Sequence, residues 1–432
     1  MNQPGSVSSG HATLRDWLAW LETLSPREIV LGLERVLPVL ERLQLARPAR
    51  VIHIAGTNGK GSCAAMLESL FLSGGERVGV YTSPHISRYN ERIRIDAVSA
   101  TDQEIISAFE RVEAARHDLP LTYFEFGTLA ALVIFDERQA GTVILEVGMG
   151  GRLDAVNAVE PDAGIITNVS LDHCDWLGDD IESIAREKAG IMRGNKPIVF
   201  GSNAIPDTIL AIAEDLGSDL HRLGKDFDFR VATVSPKTWG WTGRRSKLSS
   251  LEMPALAGKT QLQNAAAVLA VIEAMQIDNL LDPDLINSAF GQLELAGRCQ
   301  TIRTDRNWLM DVAHNAAAAN VLSEYLADSP LPGETIAIIG MLGNKYLAGM
   351  VTPLRDQVDV WIAVSVEGAR ALPGRELAAG VANLCNKPCL IAESLPDAMQ
   401  YAHDRTTGDD RILVTGSFYV VGPALKWLDA NS

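Results

Sequence analysis

The sequence predicts an α/β protein of two domains. The first is an N-terminal P-loop ATPase-type domain with a mostly parallel sheet, and the second is a smaller C-terminal Rossmann-like α/β domain. Three observations carry this prediction. Short apolar runs alternate with helical stretches along most of the chain. Those runs are nearly continuous in apolar residues, as strands covered on both faces require. A glycine-rich segment follows the first run and opens a helix, the context of a phosphate-binding loop.

The elements follow in order. LRDWLAWLETL and REIVLGLERVLPVLERL repeat apolar residues three and four apart, which predicts one or two amphipathic helices over 14–45. Val51-Ile52-His53-Ile54-Ala55 reads as a strand ending at Gly56. A helix over 62–73 and a strand over 77–81 come next. Helices over 102–117 and 126–139 precede a strand over 142–147. A strand over 163–168, a helix over 181–192 and a strand over 197–200 continue the alternation. Between 227 and 256 the pattern changes, with Trp239, Gly240, Trp241 and Gly243 in alternating polarity, which predicts antiparallel strands. A helix over 261–275 follows. A second α/β series then begins, with strands over 308–312, 335–339, 358–364, 388–391 and 411–415. The boundary falls near Ala296, giving domains 1–296 and 297–432. No internal repeat or low-complexity tract is visible.

Composition excludes several functional classes. Of 432 residues, 47% are hydrophobic and 21% charged, an ordinary globular balance. A formal net charge of −16 argues against broad binding to nucleic acid or to a membrane surface. No apolar run is long enough to span a bilayer, and the first residues lack the apolar core of a signal peptide. Cys63, Cys174, Cys299, Cys385 and Cys389 form an odd, scattered set, expected to be free thiols in a cytoplasmic, reducing compartment.

Four segments at predicted strand ends carry chemistry. Gly56-Thr57-Asn58-Gly59-Lys60-Gly61-Ser62 is the strongest. Its glycines admit a polyphosphate to the backbone, Lys60 neutralises phosphate charge, and Ser62 offers oxygen to Mg²⁺. Its spacing departs from GxxxxGK[ST]. Glu146-Val147-Gly148-Met149-Gly150-Gly151-Arg152-Leu153-Asp154 places an acid where a strand ends, in reach of a nucleotide's metal. Asn168 to Gly178 contains His173, and Ser83-Pro84-His85 contributes a hydroxyl. In the second domain Asp311-Val312-Ala313-His314-Asn315 and Gly416-Ser417-Phe418 follow strands, while Arg298 lies at the hinge. By composition alone Lys188 reads as a solvated helix residue.

Together these segments resemble the folylpolyglutamate synthases, in particular the bacterial bifunctional dihydrofolate synthase type, within the Mur ligase superfamily. The likeness runs through LGLERV, GTNGKGS, YTSPH, LTYFEFGTLAAL, LEVGMGGRLDA, LDHCDWLG, REKAGI, Gly297-Arg298, DVAHN and TGSF. Mur ligases of cell-wall synthesis carry a large domain before the loop. Here about 55 residues precede it, too few for such a domain.

The resemblance implies an ATP-dependent ligase. It would add L-glutamate to dihydropteroate and to reduced folates through an acyl phosphate, working as a monomer with two Mg²⁺ ions. It assigns Thr57, Asn58, Gly59, Lys60, Gly61, Ser62, Asn264, Arg298, Asp311 and His314 to ATP. Ser62, Ser83, Glu146, His173 and Lys188 are assigned to metal, with Lys188 as an N6-carboxylated lysine. Leu31, Thr122, Phe124, Leu153, Asp154 and Ala155 are assigned to the acceptor substrate. Lys60, Lys188 and His314 are the catalytic set, and the C-terminal domain would close on ATP and bind glutamate. Departures from the family pattern are Val30 for an acid, Ala316 for a proline, and Asn344 and Tyr346 for acids, with Lys345 kept. A folylpolyglutamate synthase without the dihydrofolate activity, a Mur-type ligase with another acceptor and a regulatory P-loop ATPase are the alternatives. The last would usually carry a DxxG or NKxD element; no NKxD occurs, and the DxxG match is Asp175-Trp176-Leu177-Gly178, within the LDHCDWLG segment. Lys60, Arg152, Arg298 and Lys345 are the cations expected to offset the acidic balance locally.

Overall fold

A computed structural model describes residues 11–25, 30–233, 237–368 and 370–431. The chain divides into two units. The first comprises 1–83, 89–253 and 263–291, and the second comprises 84–88, 254–262 and 292–432.

The first unit holds an eight-stranded sheet of β1 (Arg50–Ala55), β2 (Val78–Tyr81), β3 (Ile93–Ile95), β4 (Val98–Ser99), β5 (Thr142–Glu146), β6 (Ala163–Ile166), β7 (Pro197–Phe200) and β8 (Asp219–Arg222). Their order is β4-β3-β2-β5-β1-β6-β7-β8. All neighbours from β2 to β8 pair in parallel, and only the β2–β3 and β3–β4 pairs are antiparallel. Every residue of β5 is buried, as are all but the first of β1, which accounts for their unbroken apolar pattern.

Helices α1 (Leu14–Leu24), α2 (Val36–Leu43), α3 (Lys60–Ser73), α4 (Asp102–Arg116) and α5 (Tyr123–Glu137) flank the central strands. Trp17, Phe109, Phe126 and Phe135 from α1, α4 and α5 share one core with Val51, Tyr81, Leu145 and Phe200 from the strands. α3 packs on β1, β2 and β5. Residues Val30 to Arg35 are not helical, so the second predicted helix starts later, at Val36. Gly32, at φ 144°, breaks the pattern there. Residues 26–29 of that prediction lie outside the described residues.

α5 begins at Tyr123 rather than Phe126, because a capping box closes it. The Thr122 hydroxyl accepts from the Glu125 N–H, and the Glu125 carboxylate accepts from the Thr122 N–H. The helix predicted over 181–192 stops at Ala189. The anticipated antiparallel segment is a three-stranded sheet of β9 (Asp228–Val231), β10 (Thr238–Thr242) and β11 (Lys247–Glu252). The β3–β4 hairpin, the helix Asp207–Leu216 and β8 had no counterpart in the sequence reading. The strands among them are short and lie at or next to the edges of the sheet.

The second unit holds β12 (Gln300–Arg303), β13 (Asn307–Asp311), β14 (Thr335–Ile339), β15 (Val360–Ala363), β16 (Cys389–Ile391) and β17 (Arg411–Thr415). Their order is β12-β13-β17-β14-β15-β16, all parallel except β12. Alternate strand residues feed two cores. Leu309, Ile339, Trp361 and Leu413 enter one, and Trp308, Ile338, Ile362 and Val414 the other. Five cysteines are free, as expected. No helix among the described residues is long and apolar enough to cross a membrane.

Candidate active site

Four neighbouring parallel strands of the first unit, β2, β5, β1 and β6, end on the same edge. After β1 the chain crosses to β2, and after β5 it crosses β1 to reach β6. That reversal opens a crevice over the end of β1, where open α/β sheets bind ligands. The loops leaving these strands are the four segments singled out in the sequence.

The loop after β1 is held from β6. Thr57 N–H donates to the Asn168 carbonyl at 3.0 Å, and Asn58 N–H to Asn168 Oδ1 at 3.1 Å. Thr167 Oγ1 and Asn168 Nδ2 donate to the Asn58 carbonyl at 2.6 and 2.9 Å. Gly59 caps α3 at φ 88°, where an added Cβ would stand 2.7 Å from Asn264 Oδ1. The predicted Asn264 therefore packs on the loop, and only glycine fits opposite it. The first N–H groups of α3 then have the arrangement that binds anionic oxygen. Lys60 Nζ lies over the loop, donating to the Gly56 and Thr57 carbonyls at 3.1 and 3.2 Å.

Glu146 ends β5 with its residue 5% exposed. Its Oε2 accepts from the Ser83 N–H at 3.1 Å and faces Gly61. The Ser62 hydroxyl is buried without a hydrogen-bond partner among the described residues. A buried hydroxyl with no partner, one residue from the glycine that Glu146 faces, offers hard oxygen of the kind that fits a divalent cation such as Mg²⁺. No group of three or more His, Cys, Asp and Glu gathers as a metal cluster among the described residues. The predicted metal set contains only Glu146 and His173 of those types. His173 adopts a left-handed φ of 52°, caps the short helix Cys174–Leu177, and has a side chain 39% exposed. Its neighbour Asp172 turns inward with a side chain 8% exposed.

Lys188 corrects its sequence reading as a solvated residue. It is buried in the helix Ile181–Ala189, and burial together with the nearby Lys60 charge lowers its amine to about 7. Asp172 and Asp154 oppose that shift. Asp154 is also buried, and burial pushes its carboxyl up to about 7 against the N–H groups of Met149 and Val156 and the charge of Lys60. The loop after β5 reaches this helix because Gly190 leaves room: an added Cβ there would land on the Arg152 backbone. Arg152, expected among the cations offsetting the acidic balance, is paired with Glu187 at 2.8 Å.

The acceptor segments also converge. Gly32 N–H donates to the Leu153 carbonyl at 3.1 Å, which sets Leu31 beside Leu153. Phe124 lies against Gly148 and is 5.8 Å, ring to ring, from Tyr81. Thr122 precedes it as the cap of α5, and Asp154 caps the turn Ala155–Ala158. The sequence reading passed over Thr167, Asn168, Asp172, Arg35 and Glu125. Asn168, Asp172, Arg35 and Glu125 lay in motifs already noted, but the partners they find have no sequence signature.

In the second unit Asp311 ends β13, buried, and accepts from the N–H groups of Cys299 and Ala313 at 2.8 Å each. Burial raises its carboxyl, with Cys299 and Arg298 opposing. His314 Nδ1 lies 2.9 Å from the Val312 carbonyl, so Nδ1 carries the proton toward it. Arg298 stacks over Phe418 at 5.1 Å. Asn315 caps the helix Ala316–Asp328, whose first residue is the alanine that replaces proline.

The chain matches the Mur ligase middle domain over residues 54–272 and the Mur ligase glutamate ligase domain over 297–418. It is 38% identical to the dihydrofolate synthase/folylpolyglutamate synthase of Escherichia coli K12, over 97% of this chain and 96% of that one. The chain belongs to this family of Mur ligases. The protein of the same description from Haemophilus influenzae is 37% identical over 94% of this chain and 96% of its own. The solved structure of E. coli FolC in complex with DHPP and ADP superposes with a TM-score of 0.92 at 37% identity, covering 99% of this chain and all of that one. A bifunctional folylpolyglutamate synthase/dihydrofolate synthase with Mn, AMPPNP and L-glutamate bound gives 0.89 at 38% identity over the same 99% of this chain and 100% of its own. The fold and the class, a ligase of the Mur type, follow from this membership.

Proposed function

We propose that this ligase uses ATP to join L-glutamate to dihydropteroate, making dihydrofolate, and to reduced folates, making polyglutamates. A substrate carboxylate attacks the γ-phosphorus and ADP leaves, giving an acyl phosphate. The glutamate amine attacks the acyl carbon, loses a proton, and phosphate leaves. Phosphorylation is required because a bare carboxylate has no acceptable leaving group. The side chains act by position and charge, with no covalent intermediate on the protein.

The observation that carries this reading is the phosphate loop around Lys60, with buried Asp154 and Lys188 close enough to feel its charge. Lys60 would steady the transferring phosphoryl group. Ser62, Ser83, Glu146, His173 and Lys188 would hold two Mg²⁺ ions, which when bound neutralise polyphosphate charge. Lys188 would serve as its carbamate. A neutral amine adds CO₂ and loses a proton, and the depressed Lys188 supplies that neutral amine near pH 7. Leu31, Thr122, Phe124, Leu153, Asp154 and Ala155 would line the pterin-bearing acceptor. The second unit would carry L-glutamate, with Arg298, Asp311 and His314 directed to the nucleotide. The chain would act as a cytoplasmic monomer, in keeping with its free thiols.

The test is glutamate-dependent phosphate release with dihydropteroate and with tetrahydrofolate, run side by side. Release with both is the expected result. Release with tetrahydrofolate alone would remove the dihydrofolate synthase activity, and ATP hydrolysis indifferent to glutamate would remove the ligase.

A further inference from the structure

Arg35 joins segments that lie far apart in the sequence. It stands at the N-terminal boundary of α2. Its Nε and Nη2 donate to Glu125 Oε1 at 3.1 and 2.6 Å, and Nη2 also donates to the Val30 carbonyl at 2.8 Å. The Arg35 side chain is 14% exposed and that of Glu125 is 4% exposed. The other Glu125 oxygen accepts from the Thr122 N–H at 2.7 Å, closing the cap of α5. The segment that Arg35 anchors is tied in turn to Leu153 through Gly32. One buried carboxylate thus sets the start of α5 and, through the guanidinium, the stretch from Val30 to Arg35.

We propose that the Arg35–Glu125 pair is a positioning device for the acceptor substrate, setting the affinity for the pterin-bearing carboxylate and not that for ATP. The inference rests on the assignment above of Leu31, Thr122, Phe124 and Leu153 to that substrate. The physical reason is directional. A guanidinium that bonds through two nitrogens fixes the relative orientation of the groups it joins, which a point charge cannot do. Buried pairs add little net stability against apolar replacements, and their best-attested use is to enforce register. Displacing a wall of a binding site by about 1 Å is enough to cost affinity or rate.

The experiment compares Arg35→Lys, Glu125→Gln and the double variant Arg35→Met/Glu125→Gln. Glutamine keeps the capping acceptor of α5 while removing the charge, and the double variant leaves no unpaired buried charge. Thermal midpoints and the KM values for dihydropteroate, ATP and L-glutamate are measured on each full chain. The expected result for the double variant is a KM for dihydropteroate raised about tenfold or more. Its KM for ATP is expected within about twofold of the parent, with a parental thermal midpoint. Arg35→Lys is expected to fall between. A dihydropteroate KM unchanged in the folded double variant would overturn the proposal. So would equal rises in all three KM values, which would mark a merely structural pair. An unaltered chain that shows no turnover with dihydropteroate or tetrahydrofolate would overturn the acceptor assignment itself, and that failure appears before any variant is made.

Discussion

Lys188 and Arg94 are both largely buried cations in the first unit, and they are treated in opposite ways. Arg94, on β3, meets Glu68 of α3 through two nitrogens, at 3.0 Å from Nε and 2.7 Å from Nη2. Its remaining nitrogen reaches Thr82 Oγ1 at 3.4 Å and the Glu91 carbonyl at 3.3 Å. Lys188 has no such carboxylate clamp, stands near a second cation, and is driven toward neutrality. The same contrast separates the Arg35–Glu125 pair from Asp154, a buried carboxyl that burial drives up to about 7. Paired charges lie where loops and helices must keep a fixed register. The groups whose charged form burial opposes, Lys188 and Asp154, lie near Lys60 of the loop after β1.

The contrast breaks most sharply at Lys60. Lys60→Ala is expected to lower glutamate-dependent phosphate release by about 10²–10³-fold, the scale of removing one preorganised charge donor. The far-ultraviolet circular dichroism should stay parental. Turnover within a few-fold of parental would detach the loop from phosphate chemistry and leave it a turn.

Lys188 comes next. Its amine falls from an ordinary 10.5 to about 7 on folding. Below pH 7 both states carry the proton and the native state bears the full burial cost. Between 7 and 10.5 the unfolded chain holds a proton that the native chain has lost, so stability rises with pH across that window. With CO₂ excluded, the parent is expected to gain about 2–3 kcal/mol relative to Lys188→Met between pH 6 and pH 9, by urea unfolding. Parallel curves for the two proteins would show that Lys188 is not held near neutrality. In the loaded enzyme, Lys188→Ala should abolish turnover and Lys188→Glu should restore part of it. An intact mass without a CO₂ adduct in active enzyme would refute the carbamate.

The remaining test is on the paired side, and it is read in stability alone. Arg94→Met leaves Glu68 buried and alone, and is expected to cost about 3 kcal/mol. That is the lower end for such pairs, because the Arg94 side chain is one-fifth exposed. Adding Glu68→Gln should recover most of that loss in urea unfolding. A double variant as unstable as the single one would mean that shape, and not charge pairing, holds β3 to α3.

Much of this was legible in the sequence. Periodicity placed both parallel sheets, because strands buried on two faces must be apolar throughout, as β5 is. The glycine-rich loop after β1 was legible because its glycines answer to a local backbone need, seen at Gly59. The hairpin of β3 and β4 was not, since a strand of two exposed residues has no period to read. Nor was the break before α2, where Gly32 interrupts an otherwise helical pattern.

The sequence by itself therefore determined the fold class and the glycine-rich turns at the strand ends, since both depend on local spacing and backbone freedom. Only the tertiary structure decided the shift of Lys188 and Asp154 toward their neutral forms, the partnership of Arg35 with Glu125, and the diversion of Arg152 onto Glu187. Those depend on desolvation and on distances between residues that are remote in the chain, and neither is written in any local pattern.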